Sequence, residues 1–442
     1  MLRKTLSSAA LAAACIAGPN FAFGQFVTAA AKIQIPSQLQ AQESLPEVIP
    51  DERWSLEQLE SIAFVNNPSL ARAQALVEAA RGNHLQVGLP PNPHVGYAGQ
   101  QIGSSGLAEQ DGVVVNQDFV RGNKLGLNRN IAYQDVVAAE HRLAMQQLRV
   151  KTDVRIAFFQ VMIAQRQIDK VNELLSLNQK AVSTTEALFK GKEIGRGDVL
   201  QAKLELENAK LLLISARNRH IAAWQRLTAV IGNPQLPCRA LAGDAYQDCG
   251  PIAWCDALQR LTTGSPEIAV AMANIEKARW TYQRALAEPK PNVSVQGLLN
   301  VRDNGIGGRP DGALQVTLPV PVWNRNQGAI TEARFNAAAA ERAMEQLELG
   351  LQERLAPVFE RYSSARSQVE QYRAVILPTA ENALQIVRQT YQAGEVGFVN
   401  LLTVQRTFAQ TNLAYLDALR ELKTAEAEIE GLLLSGSLQT QP

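Results

Sequence analysis

The side chains with reactive potential are few and scattered. Beyond the first 24 residues three cysteines remain, Cys238, Cys249 and Cys255, all in one short segment. A zinc site calls for paired CxxC spacing with histidines near it, and neither is present here. The expected chemistry is a local disulfide between two of the three in an oxidising compartment, with the pairing open. The four histidines, His84, His94, His141 and His220, show no metal-ligand spacing. His220 falls on a helical seam where the second half of the chain carries Leu422, so packing is its expected role. Gly305-Ile306-Gly307-Gly308 lacks the strand-to-helix context and the lysine of a phosphate loop. Glu193, Asp198 and Glu395 lie near two expected turns, where they would attract cations or simply keep the turns solvated. No nucleophile with its base, no metal set and no phosphate cradle can be assembled. The chain is therefore not expected to be an enzyme or to hold a cofactor or a metal.

The elements that would position any site are more informative. The 442 residues carry 43 basic and 42 acidic side chains, a net charge of +1, so nothing favours nucleic acid as a partner. Hydrophobic residues make up 46% and aromatics only 6%. Ala, Leu, Gln, Glu and Arg dominate the long middle stretches, which is the composition of extended helices. At the front, Arg3 and Lys4 precede an apolar run from Leu6 to Ile16 and the small residues around Ala22-Phe23-Gly24. This is the order of a secretory signal over residues 1–24. Lipid modification of Cys15 stays open as a variant of it. Past the signal no apolar run reaches the roughly 20 residues that a membrane-crossing helix needs.

The chain then repeats itself. Asn67-Pro68 recurs as Ser265-Pro266 and Pro91-Asn92-Pro93 as Pro289-Lys290-Pro291, each 198 residues on. Ala139-Glu140 matches Ala340-Glu341 at an offset of 201. Phe189 with Glu193-Ile194-Gly195 matches Tyr391 with Glu395-Val396-Gly397 at 202. The expected organisation is an N-terminal arm over 25–53, a first repeat over 54–231, a cysteine-containing linker over 232–254, a second repeat over 255–434 and a short tail over 435–442.

Each copy reads helix, strand, strand, long helix, turn, long helix. Ser55 with Gln58 forms a capping-box start. Val95 and Tyr97, Val113 and Val115, Val293 to Val301, and Leu314 to Leu318 alternate apolar with polar or small residues. The loops between them hold Gly103-Ser104-Ser105-Gly106 and the second glycine cluster. Such strands suit a water-filled transmembrane barrel, and a half-buried hairpin of a soluble protein would show the same alternation. No proline interrupts Lys124 to Lys190, 67 residues that make a rod of about 100 Å. Asp198, with Gln201 three residues on, is the expected N-cap of its return partner. Val199, Ala202, Leu206, Ala209, Leu213, Ala216, His220, Ala223 and Leu227 then keep steps of three and four, and Leu401 to Ile429 repeat the rhythm. This is a heptad seam that supercoils left-handed against its neighbours. Four strands are too few for a barrel, and open edges cannot be left in lipid, so several chains must cooperate.

At this point the residues resemble the TolC family of outer-membrane efflux proteins over nearly all the chain after Trp54. The strings Asn66-Asn67-Pro68, Gln86-Val87-Gly88-Leu89-Pro90-Pro91-Asn92-Pro93 and Leu318-Pro319-Val320-Pro321-Val322-Trp323-Asn324-Arg325-Asn326-Gln327-Gly328 look most like its cobalt-zinc-cadmium resistance branch. The resemblance implies a mainly α fold with a small β part. Long antiparallel coiled-coil hairpins would come in two repeats, each with a two-stranded hairpin contributing to a 12-stranded transmembrane β-barrel of a homotrimer. It implies an outer-membrane location in contact with lipid, a long periplasmic helical part, and passive export, of heavy-metal cations in this branch. It also implies a periplasmic adaptor and an inner-membrane transporter as partners. The positions that match the family's adaptor-docking tips are Ile194, Gly195, Asp198, Val396, Gly397 and Asn400. The same residues are also turn formers, with glycine permitting the reversal and Asp198 or Asn400 capping the next helix. A channel exporting organic compounds or polypeptides, and a soluble periplasmic coiled-coil scaffold, are the alternatives.

Overall fold

A computed structural model describes residues 53–102, 108–246, 250–303 and 307–439. The expected signal with Cys15, the arm up to residue 52, Cys249, the first glycine-containing strand loop and part of the second lie outside them. The helices are α1 (Leu56–Asn66), α2 (Pro68–Gln86), α3 (Lys124–Lys190), α4 (Arg196–Ile231), α5 (Trp254–Gly264), α6 (Pro266–Ala287), α7 (Gln327–Gln371), α8 (Leu377–Gln392) and α9 (Phe398–Glu430). The strands are β1 (His94–Ile102), β2 (Ala108–Phe119), β3 (Val293–Asp303) and β4 (Arg309–Thr317).

Local chemistry starts the second helix of each repeat in the same way, while the first helices differ, α1 having a capping box and α5 no side-chain cap. Ser55 and Gln58 close the capping box of α1. Asn67 caps α2 through the Ser69 N–H at 2.9 Å, with Pro68 at the first helical position, and Ser265 caps α6 through Glu267 in front of Pro266. The Asn67 amide also donates to the Val230 carbonyl at 2.7 Å. Beside it α4 ends on Gly232 at φ +79°, where a Cβ would stand 2.6 Å from the Asn66 carbonyl oxygen, so only glycine closes that corner.

The repeat is also visible in side-chain contacts. Arg81 of α2 bridges Glu78 and Glu140, each at 2.9 Å, and Arg279 of α6 bridges Glu276 at 2.7 Å and Glu341 at 3.0 Å. The two arms are not identical, however. α3 runs unbroken for 67 residues, while its counterpart is α7, then a π-helical turn at Tyr372–Ile376, then α8 with Pro378 in its first turn. The second arm is thus jointed where the first is continuous. The reason lies in the spacing: the offset between copies is 201 at Glu341 and 202 at Tyr391, so the second arm holds one residue more. A π turn is what an α-helix forms when it absorbs a single added residue, and Leu377 N–H accordingly reaches back five residues to the Tyr372 carbonyl.

The main core lies midway along the helices, where Leu59, Val150, Val161, Ile163, Leu227, Ile231, Leu355, Tyr362 and Leu419 are buried together. The segment between the repeats is laid over this core. Trp54 exchanges backbone hydrogen bonds with Ala240 and Ala242, the Tyr362 hydroxyl accepts the Ile252 N–H at 2.9 Å, and Arg373 stacks on Tyr246. Cys238 points into the core and Cys255 is exposed at the start of α5. Both are free thiols and are not paired with each other, while the third cysteine lies outside the described residues. Burial holds the Cys238 thiol above its ordinary pKa.

Candidate channel wall and hairpin tips

The four strands form one antiparallel sheet in the order β1-β2-β3-β4. Register places Val95 opposite Val115, Tyr97 opposite Val113, Val113 opposite Leu299 and Val295 opposite Val316. Because paired residues share a face, Val95, Tyr97, Val113, Val115, Leu299, Leu314 and Val316 make one apolar surface, and all of them are exposed. The opposite face carries Asn116, Gln296 and Gln315 in one row and Gly112, Asn300 and Asp311 in another, with Val114, Leu298 and Ala313 in the row between, and Asn300 donates to Asp311 at 2.7 Å. A face of large apolar side chains left bare, with a more polar face behind it, reverses the arrangement of a soluble sheet. It matches a wall with lipid on one side and water on the other.

The same openness recurs along the helices. Near the sheet the packing order is α2, α3, α6, α7, and toward the tips it is α4, α3, α9, α8. The outer members of both layers expose apolar side chains: Leu76 and Leu85 on α2, Phe335 and Leu349 on α7, Leu200, Leu204, Leu211 and Ile214 on α4, and Ile386 on α8. The heptad seam is buried on the inner side of the hairpins, where Val199, Ala202, Ala209, Leu213 and Leu227 of α4, and Leu401, Leu422, Ala425 and Ile429 of α9, are all covered.

The two tips are built alike. Gly191, Lys192 and Glu193 donate to Ala187, Phe189 and Leu188, and 202 residues on Ala393, Gly394 and Glu395 donate to Gln389, Tyr391 and Thr390, all at 2.9–3.0 Å. Ile194 and Val396 are half-buried, while Gly195 and Gly397 are exposed. The structure corrects two expectations here. The left-handed residues that reverse the chain are Lys192 and Gly394. Gly195 and Gly397 are extended N-caps, a conformation any residue adopts. Asp198 and Asn400 are consequently three residues inside their helices. Asp198 acts from there, its carboxylate accepting the Gly195 N–H at 3.3 Å, because a carboxylate in the first turn offsets the unpaired amides of the helix start.

Sequence reasoning missed how the tips are tied together. Ala202 of α4 shares a small core with Phe398, Leu401 and Leu402 of α9, and Tyr391 packs on Phe398 with ring centroids 5.9 Å apart. Burial and then the Asp198 charge raise the pKa of the Tyr391 phenol. Just above, Arg406 of α9 donates to Glu205 of α4, a carboxylate only 8% exposed. No periodicity announces that pair, since it has no counterpart in the other copy.

No three His, Cys, Asp or Glu side chains converge among the described residues. The histidines sit on separate elements, α2, β1, α3 and α4. His84 packs against Tyr133, and His220 is pushed by burial below the ordinary imidazole pKa, its Nε2 without a hydrogen-bond partner.

Two stretches of the chain, residues 59–233 and 257–433, match the family model described as outer membrane efflux protein. The cobalt-zinc-cadmium resistance protein CzcC of Cupriavidus metallidurans is 24% identical over 380 residues, spanning 86% of this chain and 90% of that protein. The fold is shared with the crystal structure of CusC, at a TM-score of 0.70 and 18% identity over 86% of this chain and 92% of that one. It is also shared with the open state of the Neisseria gonorrhoeae MtrE outer membrane channel, at 0.71 and 19% over 86% and 89%.

Proposed function

Because the chain belongs to the outer membrane efflux protein family, whose members are channels and not enzymes, we propose that it is the exit duct of a tripartite pump, a homotrimer that passes heavy-metal cations out of the periplasm. The observation that carries this reading is the set of unpaired sides. The sheet stops at β1 and β4, the layer beneath it at α2 and α7, and the lower layer at α4 and α8. At each level one side belongs to the first repeat and the other to the second. A further copy set beside the chain would pair β4 with β1 and lay α7 and α8 against α2 and α4. Unpaired backbone groups in lipid cost several kcal/mol each, so such a sheet persists in a membrane only when the ring closes. Three copies supply twelve strands and twelve long helical segments, in line with the size of outer-membrane barrels.

The duct conducts passively. The polar sheet face provides a water-filled path, and energy comes from an inner-membrane transporter reached through a periplasmic adaptor. The adaptor would dock on the tips at Ile194, Gly195, Asp198, Val396, Gly397 and Asn400, and it opens them by holding the splayed state more tightly than the closed one. The likeness to a cobalt-zinc-cadmium resistance protein supports metal cations as the client. A soluble scaffold is disfavoured by the bare apolar face of the sheet.

The test is oligomeric mass in detergent together with single-channel recording in planar bilayers. Stable trimers giving discrete current steps support the duct. A water-soluble monomer that never inserts overturns it. Loss of resistance to cobalt, zinc or cadmium on deletion of the gene, with resistance to organic compounds unchanged, tests the client.

A further inference from the structure

A trough of about 370 Å³ in the layer of helices toward the tips takes no part in the channel reading. There α9 lies between α3 and α8, so α9 is the floor and the other two helices are the walls. The floor is apolar and aromatic. Phe408 and Tyr415 are half-buried on it, and Leu416 and Leu419 continue from it into the main core. The α8 wall is packed loosely, with none of its 16 residues buried.

The linker between the repeats closes the end nearer the core. Asp244 accepts the Tyr246 N–H at 3.2 Å, and the Tyr246 ring is held in turn by the Arg373 guanidinium, 3.4 Å from its centre. Charges of both signs then stand around the apolar floor. Arg166 is on the α3 wall, Glu381 on the α8 wall and Asp244 at the closed end, and none of the three has an ion-pair partner among the described residues. The other two charges of the lining, Lys170 and Glu173, satisfy each other at 2.9 Å.

We infer that this trough is a binding site for a short apolar peptide with free termini, its carboxylate held by Arg166 and its ammonium by Glu381 and Asp244. Three exclusions lead to that chemistry. A wholly apolar molecule would cover Phe408 and Tyr415 while stripping water from three charges and pairing none, which is unfavourable. A simple cation or anion would meet one sign of charge and be repelled by the other. A helix of another protein lying along the trough would run into the linker at its closed end. A guanidinium also matches a terminal carboxylate through two parallel hydrogen bonds. The volume falls in the range of small-molecule sites, about 300–1,000 Å³. Every group named belongs to one copy of the chain, so the inference stands apart from whether the assembly conducts.

The experiment titrates leucyl-phenylalanine, with both termini free, into the purified full-length protein and reads the heat of binding. One saturable site per chain is expected. Acetylating the amine or amidating the carboxylate should each weaken binding about tenfold, the loss of one charge-assisted contact. In Arg166→Gln the free and amidated peptides should bind alike. In Glu381→Gln with Asp244→Asn the free and acetylated peptides should bind alike. All three side chains are exposed, so the variants are expected to fold, and an unchanged melting temperature checks that they do. Absence of saturable heat at millimolar peptide overturns the site. Equal affinity for free and blocked peptides reduces the trough to an apolar cleft, and unchanged discrimination in the variants puts the peptide elsewhere. Either result overturns the inference.

Discussion

Lys192 and Gly394, 202 residues apart, occupy the same position of the two hairpin turns and share the left-handed backbone, at φ +60° and +79°. A lysine pays a steric cost there that glycine avoids, roughly 1 kcal/mol. Lys192→Gly should therefore stabilise the first tip by up to about 1 kcal/mol, and Gly394→Ala should destabilise the second by a similar amount. Limited proteolysis at the turns, which reads local opening, checks both.

Gly195→Ala and Gly397→Ala should leave folding unchanged. An added Cβ at Gly195 meets nothing nearer than 3.8 Å, and one at Gly397 meets nothing within 4 Å. Any loss of transport in these variants, with trimer yield and melting temperature intact, would report adaptor docking instead of a damaged turn.

The Glu205–Arg406 pair should hold the two hairpins together at the closed end. Arg406→Gln strands a buried carboxylate, whereas the double variant with Glu205→Gln leaves only neutral groups. Channel leak in bilayers should rise more for Arg406→Gln than for the double variant. Equal leak for wild type and both variants would remove the pair from gating.

His220 sets an acid limit on stability. Its folded pKa lies below the ordinary value of about 6.5 because burial disfavours the imidazolium. Above that value both states are neutral and nothing is gained or lost. As pH falls through it the unfolded chain takes up the proton first, and stability declines. His220→Leu, which copies Leu422 of the second repeat, should flatten this decline in melting curves between neutral pH and about pH 5.

Removing one residue from Tyr372–Ile376 should convert the π turn into ordinary helix and leave the phase of α8 against α9 intact. Removing one residue from the unbroken helix at Lys170–Leu174 should rotate everything below it by about 100°. Trimer yield from membranes should survive the first deletion and fall sharply after the second.

Much of the fold was legible because it is written in period. The 67-residue arm, the seam from Val199 to Leu227 and the duplicated Pro-x-Pro stops are local patterns, and hydrophobic spacing alone dictates helices that long and strands that alternate. The repeat offsets even recorded the added residue, though not that Tyr372–Ile376 would absorb it, which depends on where packing against Tyr246 and Tyr415 holds the helix. What only the tertiary structure decided are contacts between segments with no shared period: Arg406 meeting Glu205, Trp54 joining the linker at Ala240, and Cys238 buried in the core. The tips show the division most clearly. The sequence placed glycines at the turns and suggested they did the reversing. The backbone gave that role to Lys192, because a turn closed by the carbonyls of Leu188 and Phe189 must bend left-handed three residues earlier, whichever side chain stands there.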